Sequence, residues 1–190
     1  MSTTSDSNKF TPTRRDFISG AAGMAALVAT GNYAFAQGSD EIKIGLIGCG
    51  GRGMGAAGDA LQADPGARLV AMGDVYRGPM DRGLKELMAQ PDLAAKVKVT
   101  PDKQFVGLDA YQKVLDSGID VVLLTTPPGF RPLHIKAAVA ADKHIFAEKP
   151  MGTDVVGVRE ALAAIKGAQG KGKCFVSGFC YRYASTHKAF

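Results

Sequence analysis

Cysteine and histidine are scarce, with three of each in 190 residues, and that scarcity removes several chemistries at once. Three cysteines cannot close into a disulfide framework, and neither they nor the histidines fall at the paired spacings that bind zinc or another metal. No metal is expected. Cys49 lies in a glycine-rich turn, while Cys174 and Cys180 lie on one expected strand, too far apart along it to bond. All three are expected as reduced thiols packed like small apolar residues. Charge of one sign is never concentrated. The formal net charge is +5, yet Lys and Arg are interleaved with acids and lack the aromatic partners of a nucleic-acid surface, so no nucleic-acid partner is expected. Long uninterrupted apolar runs are missing too, which speaks against a stable membrane anchor. The 46% apolar and 22% charged composition leaves one good core with short appendages.

The first patterned stretch is Thr13-Arg14-Arg15-Asp16-Phe17-Ile18, followed by an Ala- and Gly-rich run from Ser19 to Gly31 and then Ala34-Phe35-Ala36. Paired arginines, a mildly apolar middle and an A-x-A end have the three-part form of a twin-arginine export signal. A transmembrane helix is the rival, but glycines interrupt the run and no positive stop-transfer cluster follows it. Residues 1–36 are therefore expected as a signal read by the twin-arginine export machinery and cleaved near Ala36. That places the mature chain in the periplasm or otherwise outside the cytoplasm. Residues 37–41 read as a linker.

The body begins with Ile42 to Ile47, an apolar run of strand character that meets Gly48-Cys49-Gly50-Gly51-Arg52-Gly53. A helix-like segment, Met54 to Ala63, follows at once. This is the order a dinucleotide-binding turn requires: Gly48 for the tight turn, Gly50 for approach of the backbone to a pyrophosphate, Gly53 for close helix packing. The helix N-terminus then offers free N–H groups to phosphate. Arg68 to Asp74 is a second apolar run. Asp74 stands where an acid accepts hydrogen bonds from the adenosine ribose, which favours NAD, while Arg77 keeps NADP open.

Further units alternate strand and helix. A helix is expected over Pro79 to Gln90, a short third strand over Val97 to Thr100, and a helix capped by Asp109 over Asp109 to Ser117. Ile119 to Thr126 is an almost continuous apolar strand of the kind buried on both faces of a parallel sheet, and Thr126-Pro127-Pro128 stops it. A helix over Pro132 to Ala141 leads to a strand, His144 to Ala147, and then to Glu148-Lys149-Pro150. A helix over Thr153 to Ala168, with Val155, Val156, Val158, Leu162 and Ile165 as its buried stripe, precedes a sixth strand, Cys174 to Phe179. Short connections between alternating units give an α/β, doubly wound parallel sheet. Ligands in such sheets collect at the carboxyl ends of the strands, which brings the glycine turn, Asp74, Thr126, Pro127, Glu148 and Lys149 to one edge.

With those motifs in place, the chain from about Glu41 onward resembles the Gfo/Idh/MocA oxidoreductase family. The residues that carry the likeness are the glycine turn, Thr126-Pro127-Pro128 with His134 after it, Ala137 to Phe146, and Ala147-Glu148-Lys149-Pro150. The resemblance implies a Rossmann domain over residues 42–179 that binds NAD, or NADP, across the strand ends. It also implies that Lys149 lies beside the reacting carbon, where its ammonium polarises a carbonyl or holds a substrate hydroxyl. Glu148 orients Lys149, and Pro150 is commonly cis in the family. A lysine of unknown context would be read as a surface residue; its place after a buried strand reverses that. For His134, exposure to solvent or to a neighbouring loop is favoured over ligand contact, and His144 is read as structural. Arg182 either meets a polar substrate at the cleft mouth, with Tyr183 beside it, or packs on Tyr181 as a surface arginine.

Relatives of this type continue into a substrate domain built on an open antiparallel sheet, with further acid/base residues. Here residues 180–190 are only its beginning, Ser185 to Phe190 reads as the start of a helix, and the chain is expected to be a fragment of a longer protein. The full-length protein is expected to be a homo-oligomer. Three functions stay open at this point. The first is an exported NAD(P)-dependent oxidoreductase transferring a hydride to or from a sugar or polyol. The second is a hydrolase that uses tightly held NAD in a transient oxidation of a glycoside. The third is a non-catalytic nucleotide-binding module, and for these residues alone nucleotide binding without efficient catalysis is expected.

Overall fold

The structure is a computed structural model that describes residues 41–185. The expected export signal, most of the linker and residues 186–190 lie outside the described residues. Six strands form one sheet: β1 Ile42–Ile47, β2 Ala67–Asp74, β3 Gln104–Val106, β4 Val121–Leu124, β5 His144–Ala147 and β6 Phe175–Ser177. Their order is β3-β2-β1-β4-β5-β6, and every neighbouring pair is parallel. The helices are α1 Gly51–Ala63, α2 Arg77–Met88, α3 Pro91–Ala94, α4 Ala110–Leu115, α5 Arg131–Ala140 and α6 Val155–Gly167.

Side chains on a strand alternate between faces, so each strand feeds two cores. Leu46, Leu123 and Phe146 join Leu61 of α1, Met80 and Leu87 of α2 and Leu93 of α3 on one side. Ile47, Val122, Leu124 and Ile145 join Val114 of α4, Ile135 and Ala138 of α5 and Ala161 of α6 on the other. Leu46, at the sheet centre, is completely buried; truncating it to Ala would cost about 2–5 kcal/mol. The strand order reverses at β1, where the chain first steps outward to β2 and β3 and then back to β4, β5 and β6 on the other side. Such a switch point leaves a crevice at the carboxyl ends of β1 and β4. This is the doubly wound Rossmann arrangement.

Four local expectations are corrected. Val97 to Thr100 is no strand: only Val97 bridges, to Leu69, because Pro101 starts a one-turn helix over Pro101–Lys103 and has no N–H with which to extend a ladder. The third strand instead forms at Gln104, opposite Met72. Asp109 occupies the N-cap of α4 without capping it; its carboxylate pairs with Lys113 Nζ at 2.8 Å. In α6 only part of the expected bulky stripe faces inward: Ile165 packs on the core and Val158 is half-buried, but Val155 and Val156 are each 66% exposed and Leu162 49%. The small side lies innermost: a Cβ at Gly157 would stand 2.9 Å from Pro132 Cγ and Ala161 is buried, so small residues let α6 close on α5. Asp154 caps that helix through Gly157 N at 2.8 Å. Finally, Cys49 is buried but Cys174 and Cys180 are exposed free thiols, because they lie just outside the short edge strand β6.

Among the described residues no helix is long and apolar enough to cross a membrane, and no three metal-ligating side chains cluster.

Candidate functional site

Three glycines shape the turn after β1, each for a different reason. Gly48 has φ +96°, and a Cβ there would sit 2.6 Å from Thr126 N, so only glycine lets the chain leave β1 against the end of β4. Thr125 Oγ1 holds the turn from β4, 2.6 Å from Gly48 O. A Cβ on Gly53 would overlap the Gly48 carbonyl, which ties the first turn of α1 to the strand end. Gly50 is different. It is extended (φ −71°, ψ 178°), and a Cβ there would meet nothing within 4 Å; its bareness opens space rather than relieving a clash. Gly50 N-caps α1, Gly51 opens the helix, and no side chain caps the N-terminus. That terminus therefore keeps its donors and partial positive charge for an anion.

Asp74, at the end of β2, accepts from Cys49 N at 2.6 Å through Oδ2 and from Tyr76 N at 3.0 Å through Oδ1. Two backbone donors fix the carboxylate beside the glycine turn. The Cys49 side chain points away beneath it, its Sγ 3.5 Å from Gly73 O, and burial with the nearby Asp74 charge pushes the thiol pKa upward. Arg77 is engaged elsewhere, donating to Gln104 Oε1 at 3.0 Å and lying 3.7 Å from Asp81.

The strand β5 delivers Glu148 and Lys149. Glu148 is buried, accepts from Arg52 Nε at 2.7 Å through Oε1, and accepts from the Lys149 backbone N–H at 3.2 Å through Oε2. Glu148 thus orients the Lys149 main chain, while its charge is matched by Arg52. The Lys149-Pro150 peptide is cis, and Lys149 is exposed.

At the end of β4, Thr126 Oγ1 and His134 Nδ1 are 3.1 Å apart. The His134 ring stacks on Tyr111 with centroids 4.5 Å apart. His134 is buried, 5% exposed, contrary to the solvent- or loop-facing expectation: α5 lies on the sheet and turns its first residues inward. Burial, and secondarily the Arg131 charge, pull its pKa down to about 4, so the imidazole is neutral near pH 7. Arg131 is buried beside it and donates to the carbonyls of Leu124 (3.0 Å), Thr126 and Glu148. One guanidinium thereby ties the ends of β4 and β5 together.

These groups surround a cleft of about 1170 Å³. Gly48, Gly50, Arg52, Asp74, Thr126, Pro127, His134, Glu148 and Lys149 line it. Cys49, Gly51 and Gly53 form the floor and hinge of its turn without lining it. Arg182 is not brought there; its guanidinium lies over the Phe179 ring at 5.9 Å. Several lining residues carry no sequence signal. Arg131 reads as any helix-start arginine, and Tyr76, Leu108 and Tyr111 read as ordinary apolar residues.

The donor set fits a dinucleotide: an uncapped helix N-terminus, a bare Gly50 beside it and a fixed carboxylate at β2, all facing one cleft. The family described as "Oxidoreductase family, NAD-binding Rossmann fold" matches residues 42–179. An inositol 2-dehydrogenase of Paracoccus denitrificans is 30% identical over 143 residues, which are 75% of this chain and 38% of that protein. A glycosyl hydrolase family 109 protein of Shewanella amazonensis is 33% identical over 116 residues, 60% of this chain and 24% of that one. Among solved structures, scyllo-inositol dehydrogenase from Lactobacillus casei with bound NAD(H) and scyllo-inositol superposes with a TM-score of 0.63 at 26% identity, covering 78% of this chain and 39% of that one. The chain therefore spans about two fifths of the length of the dehydrogenases it matches. With a glycine turn, a β2 acid and a Lys149 corner converging on one cleft, the chain belongs to the Gfo/Idh/MocA oxidoreductase family and carries its NAD-binding Rossmann domain.

Proposed function

We propose that this chain is the nucleotide-binding part of an exported NAD-dependent oxidoreductase acting on a polyol or sugar. The convergence of Gly50, Asp74 and Lys149 on one cleft carries the reading. The α1 N-terminus and the Gly50 backbone hold the pyrophosphate, and Asp74 accepts from the adenosine ribose hydroxyls. NAD, when bound, supplies the hydride acceptor. Lys149 Nζ holds the substrate hydroxyl and moves its proton as the carbon is oxidised. Asp74 favours NAD, because a 2′-phosphate would meet its carboxylate; Arg77 lies exposed against Gln104 and Asp81, just after β2. His134, neutral and stacked on Tyr111, shapes the wall next to Thr126. The inositol dehydrogenases among the relatives support a cyclic polyol.

Native mass spectrometry and NADH titration of the chain test the first half of the reading, and failure to bind any nicotinamide nucleotide would end it. In the full-length protein, Lys149→Ala should abolish polyol oxidation and leave NADH affinity within about twofold. The glycosyl hydrolase relative supports a second reading, hydrolysis through transient oxidation. Release of nitrophenol from a nitrophenyl glycoside without net NADH would favour it over the first. Export rests on Arg14, Arg15 and the Ala34-Phe35-Ala36 end. Replacing both arginines by lysine should retain the protein in the cytoplasmic fraction, and unchanged fractionation would dismiss the twin-arginine route.

A further inference from the structure

We propose that Arg52 is a positioning residue for Lys149 that acts through Glu148, joining the phosphate-binding turn and the reacting corner into one unit. The inference rests on the reading of Lys149 as the reacting group. Arg52 lies in the first turn of α1, and Glu148 directly follows β5, 96 residues later. Their side chains meet at 2.7 Å with unequal surroundings, Arg52 being 53% exposed and Glu148 7%. An exposed pair would matter little. A buried carboxylate stripped of its cation is another case, because nothing replaces the lost hydration.

Among the described residues Arg52 is the cation bonded to the Glu148 carboxylate; the buried Arg131 adds its charge from nearby without bonding it. The hydrogen bonds of the neighbouring Arg131 go to the carbonyls of Leu124, Thr126 and Glu148 and not to the carboxylate. The remaining walls are steric: a Cβ at Gly178 would press on the Glu148 carboxylate at 2.9 Å. Glu148 is thus boxed in by β6 and pulled forward by Arg52 Nε. Its free oxygen then receives the Lys149 N–H at 3.2 Å. The direction in which the Lys149 side chain leaves the backbone is set by that bond, and the bond is set by Arg52. Asp59, at 3.8 Å and 77% exposed, steadies the far end of the guanidinium only weakly.

The rival role for Arg52, which also lines the cleft, is direct contact with the pyrophosphate. Solvent exchange of the Lys149 amide, followed by NMR in the 15N-labelled chain, separates the two, because phosphate contact alone leaves that amide untouched. Arg52→Gln should speed Lys149 exchange about tenfold, the loss expected when one protecting hydrogen bond to a charged group fails. Amides of Leu46 and Val122 report that the sheet is intact. The double variant Arg52→Gln/Glu148→Gln should match Glu148→Gln alone, since Arg52 acts through that carboxylate. Arg52→Lys keeps the charge without the Nε fork and should recover part of the protection; should Arg52→Gln fail to fold, this variant carries the comparison. Unchanged Lys149 exchange in the Arg52 variants, or effects that multiply in the double variant, would overturn the proposal. NADH titration of the same samples tests the reading beneath it: a chain that binds no NADH defeats that reading, whatever the amide shows.

Discussion

Gly48 and Gly50 are two residues apart, yet alanine at each should fail in a different way. At Gly48 the methyl group demands φ near +96° from a residue with a Cβ, a conformation costing about 1–3 kcal/mol. It also presses on Thr126 N at 2.6 Å and Thr125 C at 2.8 Å, main-chain atoms of the β4 end that cannot swing aside, for about 1–3 kcal/mol more. The unfolded chain loses freedom, which returns about 0.4–1 kcal/mol. The net expectation for Gly48→Ala is a loss of about 2–5 kcal/mol, a large part of the ~5–15 kcal/mol that holds a typical domain together. Gly50→Ala meets neither obstacle, since its backbone is extended and open space surrounds it. A weaker N-cap and a stiffer unfolded chain should cancel to within about 0.5 kcal/mol. Its effect falls on the ligand. The methyl fills the space through which the backbone approaches phosphate, and losing one charge-assisted hydrogen bond weakens NADH binding by about 10–100-fold. Urea unfolding followed by circular dichroism and NADH fluorescence titration, in one buffer, read both quantities. A Gly48→Ala variant as stable as wild type would refute the steric argument. A Gly50→Ala variant that binds NADH normally would refute the assignment of the pyrophosphate to this turn.

Three other expectations concern groups around the cleft. His134 has its pKa depressed to about 4 by burial and by Arg131, against an unfolded value of about 6.5. The unfolded chain therefore binds more protons between those values. The stability His134 contributes is complete above pH 6.5 and is lost as pH falls towards 4, with a slope of up to ~1.4 kcal/mol per unit; His134→Asn should flatten that part of a pH series of urea midpoints. Arg131→Met strands the carbonyls of Leu124, Thr126 and Glu148 and should cost about 3–5 kcal/mol in the same unfolding assay. Asp74→Asn retains an acceptor for Cys49 N but removes the charge, so the NADP-to-NAD affinity ratio, measured by parallel titrations, should rise about tenfold with little change in stability.

Much of the site could be read along the chain because it is made of strand ends, and strand ends are local events. Gly48 and Gly50, Thr126-Pro127-Pro128 and Glu148-Lys149-Pro150 are breaks where an apolar run stops, so their shared edge follows from the parallel sheet alone. Arg131, buried with its guanidinium on three carbonyls, left no such mark. Neither did the burial of His134, nor the inward face of α6. A bulky stripe at helical spacing reads as core, but close approach to Pro132 turns the small Gly157 and Ala161 side innermost and leaves Val155, Val156 and Leu162 outside.

Sequence by itself therefore determined the alternating α/β architecture, the glycine turn and the acid at the end of β2, because periodicity and backbone stereochemistry act between residues near one another. Only the tertiary structure decided which charges meet. Arg52 and Glu148 are 96 residues apart, and whether a carboxylate is solvated or bound to one guanidinium depends on what the folded sheet brings to its side. The same holds for Arg182, turned onto Phe179, and for Lys149, whose main-chain N–H meets a carboxylate that Arg52 of α1 reaches only once β1 and β5 share a sheet.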